Sequence, residues 1–425
     1  MTGHHASAGL PYQDLRLHRM LIHLRSLIAL LAVLALQGCG ALFRLNAVPV
    51  AQTMKAEVPG MPGVRYWVDR DITPLINDSM AALQRERDTL AKQSQTGELP
   101  PANFLAISGG GDDGAFGAGL LTGWSKSGTR PIFKGVTGIS TGALIAPFAF
   151  LGHEYDDRLS QVYTSVSKKD IAEERSLMAA LTSDGMADNR PLWQLLGKYV
   201  DEAMLTRIAA EYGKGRLLLI GTTDLDARRP VIWNMGAIAA SKNPKALELF
   251  RSIMLASAAI PGAFPPVMID VEVDGKKYQE MHVDGGTTAQ VFLYPPRLSD
   301  VMEQHGMKPA QRERRAYIIR NARLDPEWSS VERRTMSIAG RAIASLIQTQ
   351  GLGDLYRIYL TAQKDGLDYN LAFIGADFKA EHREDFDPAY MKALYDYGYR
   401  LALKGYPWRK APPGLAGSEL PGQIH

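Results

Sequence analysis

The sequence predicts an α/β domain organised around a mostly parallel sheet. Three observations lead there. Residues 104–108 and 132–137 are short apolar runs. Each is followed by a glycine-framed turn and then by a helical stretch, 114–124 and 141–151. A third apolar run, 216–223, comes after a long polar interval. Strand–helix–strand–helix at this spacing describes βαβ units, whose strands run parallel.

Each element has a local reason. Thr73-Pro74 reads as a helix start, Thr73 as N-cap and proline at the first helical position, with the helix running to about Gln95. Residues 114–124 include Ala115, Gly117, Ala118 and Gly119, small enough for that helix to lie close on a sheet. Residues 141–151 are apolar nearly all round, so the second helix is buried. From 155 to 213 the pattern is helical and more polar, a cap over the sheet. Residues 231–233 are placed beside 216–223, and 247–258 form a helix ended by Pro261. Asp274-Gly275 between 267–273 and 277–283 signals a hairpin. Residues 316–320 and 369–374 are further strands and 388–404 a late helix. The long helical stretch 330–365 is expected to break at Gly351 and Gly353.

The chain of 425 residues is 46% apolar and 22% charged, a globular composition. A net charge of +3, with no Lys/Arg block, does not support a nucleic-acid partner. The one cysteine is Cys39. Arg16, Arg19 and Arg25 precede an unbroken run of ten apolar residues, 27–36, and then Leu36-Gln37-Gly38-Cys39. That order is a secretory signal, too short to span a bilayer. The Leu-x-Gly-Cys ending resembles the bacterial lipoprotein box, which implies removal of residues 1–38 and lipidation of Cys39. Met20 gives a more typical signal length as an alternative start. Gly40 in place of Asp favours the outer membrane of a bacterial envelope. Residues 40–65, with Pro49, Pro59 and Pro62, read as a tether with little regular structure, and 406–425 as a flexible tail. The expected organisation is signal peptide 1–38, tether and surface helix 39–102, catalytic domain 103–405 and tail.

The chemistry lies in three turns. Gly138-Ile139-Ser140-Thr141-Gly142 sets a serine between an expected strand and an expected helix, the context of a nucleophile elbow. The Thr141 N–H then opens a helix whose dipole favours negative charge. Gly109-Gly110-Gly111-Asp112-Asp113-Gly114 ends 24 residues before Gly138. Three consecutive glycines let backbone N–H groups converge on an oxyanion. The same loop satisfies G-x-G-x-x-G. However, no Asp or Glu occurs between Gly114 and His153, and Asp112 and Asp113 would repel a pyrophosphate, so no nucleotide is expected. Asp284-Gly285-Gly286 ends an apolar strand with a carboxylate. His305, His382 and His425 follow it, none at a strand end or glycine turn. They and His282 read as structural or surface residues. A nucleophile, an oxyanion hole and a base are the minimum parts of an acyl hydrolase. Asp224 and Asp226 read as turn residues without a His/Asp cluster beside them. Trp193, Leu195 and Leu196 read as core packing of the cap.

These motifs resemble those of the patatin-like phospholipases. A fourth block, Ala256-Ser257-Ala258-Ala259-Ile260-Pro261-Gly262-Ala263-Phe264-Pro265-Pro266, is similar to that family's helix-to-strand connection. Together the blocks cover roughly residues 103–290. The resemblance implies a three-layer α/β/α patatin-like fold related to the cytosolic phospholipase A2 catalytic domain. It implies a Ser–Asp dyad without histidine, with Ser140 as nucleophile, Asp284 as general base, and Gly109, Gly110 and Gly111 as oxyanion donors beside Thr141. Gly114, Gly138, Gly142, Gly285 and Gly286 complete the motifs. It implies no metal and no cofactor, and a membrane-lipid ester as substrate. A thioesterase, transacylase or small-ester esterase would use the same dyad. A non-catalytic lipid-binding envelope lipoprotein is the remaining alternative. One departure stands out: many members carry Arg where this chain has Asp113. Asp112 and Asp113 then read as helix N-terminal carboxylates, or as groups that disfavour acidic phospholipids.

Overall fold

The computed structural model describes residues 44–95, 97–176, 183–306, 310–326 and 328–415, with His23 and Arg25. Met20, the apolar run 27–36, Cys39 and residues 416–425 lie outside the described residues. From Leu45 onward the chain forms one compact unit. Among the described residues no helix is long and apolar enough to cross a membrane.

The strands are β1 (Arg65–Tyr66), β2 (Ala102–Ile107), β3 (Phe133–Gly138), β4 (Glu173–Glu174), β5 (Ala187–Asp188), β6 (Leu217–Asp224), β7 (Arg229–Asn234), β8 (Val267–Val273), β9 (Lys276–Asp284), β10 (Arg314–Arg323) and β11 (Asp368–Ile374). The helices are α1 (Thr73–Lys92), α2 (Gly114–Lys126), α3 (Thr141–Leu151), α4 (Asp156–Thr164), α5 (Lys168–Ile171), α6 (Arg190–Tyr199), α7 (Glu202–Gly213), α8 (Met235–Ala240), α9 (Ala246–Ser257), α10 (Leu298–Gln304), α11 (Thr335–Asp365) and α12 (Pro388–Leu403).

Nine strands form one sheet in the order β1-β7-β6-β3-β2-β10-β11, with β9 also on β6 and β8 on β9. Its centre, β6-β3-β2-β10-β11, is parallel throughout. β7, β9, β8 and β1 are antiparallel additions at one end. Alternate residues on the central strands enter different cores. Leu105, Ile107, Tyr317, Ile319, Ala372 and Ile374 join the large core packed by α2, α3 and α12. Ala106, Ala316, Ile318, Tyr369 and Leu371 turn the other way, onto Leu355, Ile358 and Ala362 of α11. Leu219 and Ile232 meet Leu75 and Ile76 of α1 on that second face. Both sheet faces are therefore covered by helices, the three-layer arrangement. The β8–β9 hairpin turns at Asp274 and Gly275, both at positive φ (50° and 76°), as a two-residue hairpin favours.

Several expectations are corrected. Residues 45–66 are not a loose tether. Ala56, Val58, Met61 and Val64 are buried in the main core, and β1 pairs with β7. Thr73 does not cap α1. It is the first helical residue, and its N–H donates to the Asp71 carboxylate instead (2.9 Å). α11 runs unbroken through Gly351 and Gly353. Glycine inside a helix costs only about 1 kcal/mol relative to alanine, and at Gly351 the Arg320 guanidinium occupies the space a side chain would need. Part of the expected tail is ordered too: Arg409 exchanges both backbone hydrogen bonds with Leu371 of β11.

Candidate active site

The sheet brings two of the three turns together at β6. Leu217–Ile220 of β6 pair with β3, whose last residue is Gly138. On the same edge, Thr222–Asp224 pair antiparallel with β9, whose last residue is Asp284. β3 and β9 therefore approach the middle of β6 end to end. The turns that follow them, at Ser140 and at Gly285, meet there.

Ser140 takes φ 54° and ψ −126°, a conformation that costs a non-glycine residue about 1–3 kcal/mol. The surroundings hold it. Its N–H donates to Ser257 Oγ (3.0 Å), and that hydroxyl donates to the Gly221 carbonyl (2.7 Å). Gly138 and Gly142 allow the turn to close. A Cβ on Gly138 would lie 2.4 Å from the Gly142 carbonyl oxygen, and one on Gly142 would lie 2.3 Å from that of Ile107. Gly114 and Gly285 meet equally close neighbours, at Thr141 Oγ1 and at the Gly221 carbonyl. Thr141 Oγ1 pairs with Tyr163 OH of α4 (2.5 Å), which ties the cap to the elbow.

The Asp284 carboxyl is buried and lies within hydrogen-bonding range of the Ser140 side chain. The Gly286 N–H donates to it (2.7 Å), and its own N–H donates to the Ala259 carbonyl (2.9 Å). Burial pushes the carboxyl up to about 7, only partly offset by the Ser140 and Gly286 hydrogen bonds. A carboxylate so placed can take a proton near neutral pH. The fourth sequence block thus acts at both partners: Ser257 holds the elbow and Ala259 holds the acid.

The glycine loop needs one correction. Gly109 N–H donates to the Gln290 carbonyl (3.0 Å), so it is not free to face an oxyanion. Gly109 instead packs against the nucleophile: a Cβ there would lie 3.1 Å from that of Ser140. The N–H groups of Gly110, Gly111 and Thr141 have no acceptor among the described residues. Gly110 sits at φ 156°, and a Cβ would fall 2.0 Å from the Asn321 carbonyl oxygen. Gly110→Ala is therefore expected to lower stability by about 2–4 kcal/mol, read by thermal unfolding.

Residues beyond the motifs hold this loop. Asn321 donates from Nδ2 to the Ser108 carbonyl (2.9 Å) and receives the Gly117 N–H at Oδ1 (3.1 Å). Arg320 of β10, buried, points Nη1 toward the Gly109 carbonyl (3.5 Å). Burial lowers its guanidinium to about 10 against the charges of Asp354 and Asp113, which favour the cation. The positive charge beside the loop thus comes from β10, and Asp113 faces it. Asp113 makes no side-chain cap on α2 and accepts from Tyr390 OH (2.6 Å). Asp112 accepts from the Phe386 N–H and pairs with His382 Nε2, both at 2.8 Å. The two acids therefore fasten the loop to α12 and to the segment before it. Alternating residues 320 and 321 at a strand end carry no local signal of such a role.

Among the described residues no histidine is hydrogen-bonded to Ser140 or Asp284. His282 is buried between Thr222 Oγ1 (2.9 Å) and Glu280 (3.2 Å), and His305 bonds the Val301 carbonyl. Asp224, Glu280 and His282 do converge, a cluster that the sequence reading did not foresee. Arg65 forms a two-bond pair with both Glu280 oxygens and supplies the cation there. Burial raises Glu280, but Arg65 and His282 outweigh it and hold it at about 2. Asp224 Oδ1 accepts from the N–H groups of Asp226 and Ala227, as a turn residue does. In the cap, Leu196 is buried and Trp193 and Leu195 pack against the main core. An apolar cavity of about 270 Å³ touches Ile139, Gly221, Gly285 and Phe292, but neither Ser140 nor Asp284 lines it.

Residues 105–295 match the family described as patatin-like phospholipase. The chain carries a patatin-like phospholipase domain. That domain makes the protein a hydrolase, and it spans β2 to the residues just beyond the Asp284 turn. The solved structure of VipD from Legionella pneumophila is similar over 72% of this chain and 67% of its own, at 11% identity and a TM-score of 0.31. The type III effector protein ExoU is similar over 72% of this chain and 53% of its own, at 14% identity and a TM-score of 0.19. Both likenesses are distant, and the family match carries the assignment. No curated protein matches the sequence significantly.

Proposed function

We propose that this patatin-like protein is a serine acyl hydrolase that cleaves carboxylic esters of membrane lipids, phospholipid or lysophospholipid, through a Ser140–Asp284 dyad. The observation that carries it is a strained serine within hydrogen-bonding range of a buried carboxyl held near neutrality. Asp284 accepts the Ser140 proton as Oγ bonds the ester carbonyl carbon. The oxyanion is met by the N–H groups of Gly110 and Gly111, with Thr141 at the positive end of α3. The ester C–O bond breaks, and the leaving alcohol takes the proton from Asp284. A water molecule then gives its proton to Asp284 and attacks the acyl-serine carbon. Bond cleavage to serine returns the proton and frees the fatty acid.

The reading extends to location. Cleavage before Cys39 and its lipidation would hold the enzyme at the cell envelope, in the outer membrane, beside its substrate. One acyl chain anchors only weakly, and the two or three chains that bacterial lipoproteins carry suffice.

Fatty-acid release from phospholipid and lysophospholipid vesicles, compared with soluble short-chain esters and acyl thioesters, tests the substrate class. Release from vesicles at a kcat/KM about tenfold or more above that on the soluble compounds is expected. A preference for thioester or short ester would move the same dyad to a thioesterase or esterase. Transfer of the acyl group to an added alcohol would make it a transacylase. No turnover of any of them would favour a lipid-binding lipoprotein.

A further inference from the structure

α11 has two halves with opposite surroundings. Its C-terminal half is ordinary core: Leu355, Ile358 and Ala362 are buried against β11. Its first half, residues 335–350, is amphipathic in sequence but mounted the wrong way round. Ile338, Ala339, Ala342, Ile343, Leu346 and Ile347 recur at the three- and four-residue spacings of one helical face. That face is turned to solvent, with Ile338 54%, Ile343 51% and Leu346 69% exposed. Ser337, Arg341 and Gln348 lie on the opposite face and are only partly exposed. Gln348 Nε2 donates to the Asp325 carbonyl (3.1 Å), which fixes that orientation. Leu360, 66% exposed, continues the apolar stripe.

An apolar helical face held outward is a contact surface for something absent. Its neighbours say what. Trp328, 90% exposed, precedes the helix, and tryptophan favours the membrane–water boundary. Residues 328–350 contain Arg333, Arg334 and Arg341 against one acid, Glu332. An apolar face preceded by Arg333, Arg334 and an exposed tryptophan is the composition of a helix that lies in a lipid interface. It is also continuous with the catalytic centre. One to two turns further along, Gly351 packs on Arg320, and Asp354 Oδ2 accepts from the Gln290 N–H (2.7 Å). Gln290 in turn receives the Gly109 N–H and donates to the Gly286 carbonyl (2.9 Å).

We propose that the first half of α11 is an interfacial docking helix that beds its Ile338–Ile347 face into a bilayer carrying anionic headgroups. This rests on the lipid-substrate reading above for its purpose but not for its test. In the full chain with Cys39→Ser, the only cysteine is removed and Leu346→Cys can be labelled with an environment-sensitive dye. Anionic vesicles of phosphatidylcholine with about 30 mol% phosphatidylglycerol are expected to shift the dye emission to the blue, since basic residues are drawn to an anionic surface. Pure phosphatidylcholine is expected to require about tenfold more lipid, and dye on Ser337→Cys, on the opposite face, to show no lipid-dependent shift. The paired substitution Ile343→Glu and Leu346→Glu is expected to cut turnover of vesicle lipid about tenfold or more, with turnover of a soluble short-chain ester unchanged. Dye at position 346 that stays water-like while the protein floats with vesicles overturns the proposal. So does a blue shift without lipid that grows with protein concentration, since a second copy would then cover the face. Absence of any hydrolysis would sink the functional reading and leave the dye measurement to decide docking.

Discussion

Ser140→Ala is expected to lower kcat by about 10⁴–10⁶-fold, on soluble and vesicle substrates alike, because removing a nucleophile takes away the covalent path as a unit. The same variant is expected to lose labelling by a fluorophosphonate, which reacts with an activated serine. Folding should survive. The turn is held by backbone groups: the residue-140 N–H to Ser257 Oγ, and the close approach of Gly138 to Gly142. Neither involves the Ser140 hydroxyl. A melting curve within about 1 °C of the parent would separate lost chemistry from lost structure. Retained labelling in Ser140→Ala would place the nucleophile elsewhere and remove the dyad with it.

What the sequence makes legible here is mostly local. β2, β3, α2 and α3 follow from short apolar runs, small residues and glycine punctuation, and α3 spans the expected 141–151. The elbow and the Asp-Gly-Gly turn are readable because special backbone conformations need glycine. What is not legible depends on pairing across the sheet. That β3 and β9 share one edge of β6, and so bring residue 140 to residue 284, is a fact of register. The use of the Gly109 N–H by Gln290 has the same origin, since the partner is 181 residues away in sequence (290 − 109). The Arg65–Glu280–His282–Asp224 cluster joins three separate strands, so no spacing announces it. Residues 45–66 look like a tether because Pro49, Pro59 and Pro62 interrupt them, yet four apolar side chains among them suffice to seat the segment. Asp113 was odd only beside a family expectation. Its partners, Tyr390 and the charge of Arg320, come from elements more than 200 residues downstream.

Asp284→Asn is expected to trade activity for stability, with a sign that depends on pH. Burial raises the Asp284 carboxyl from its ordinary value near 3.8 to about 7. As the general base it works only when ionised, so kcat/KM of the parent should climb from pH 5 to 8.5 with a midpoint near 7. Asn cannot accept the proton, and activity should fall about 10²–10⁴-fold with the pH dependence lost. Stability runs the other way. A carboxyl whose pKa is higher in the folded than in the unfolded chain stabilises the fold fully below the unfolded value. That contribution is lost as pH rises through the folded value. The parent should therefore lose stability between about pH 4 and 7, as a buried carboxyl is forced to ionise. The Asn variant has no such loss. Its amide oxygen can keep the Gly286 hydrogen bond, and at pH 8 it should exceed the parent by about 2–4 kcal/mol. Below pH 4 the two should converge. Denaturant unfolding of both proteins at pH 4, 6 and 8 measures this directly. A difference independent of pH would mean that Asp284 is already ionised at pH 4, and with it would go the reason an aspartate can replace histidine at this site.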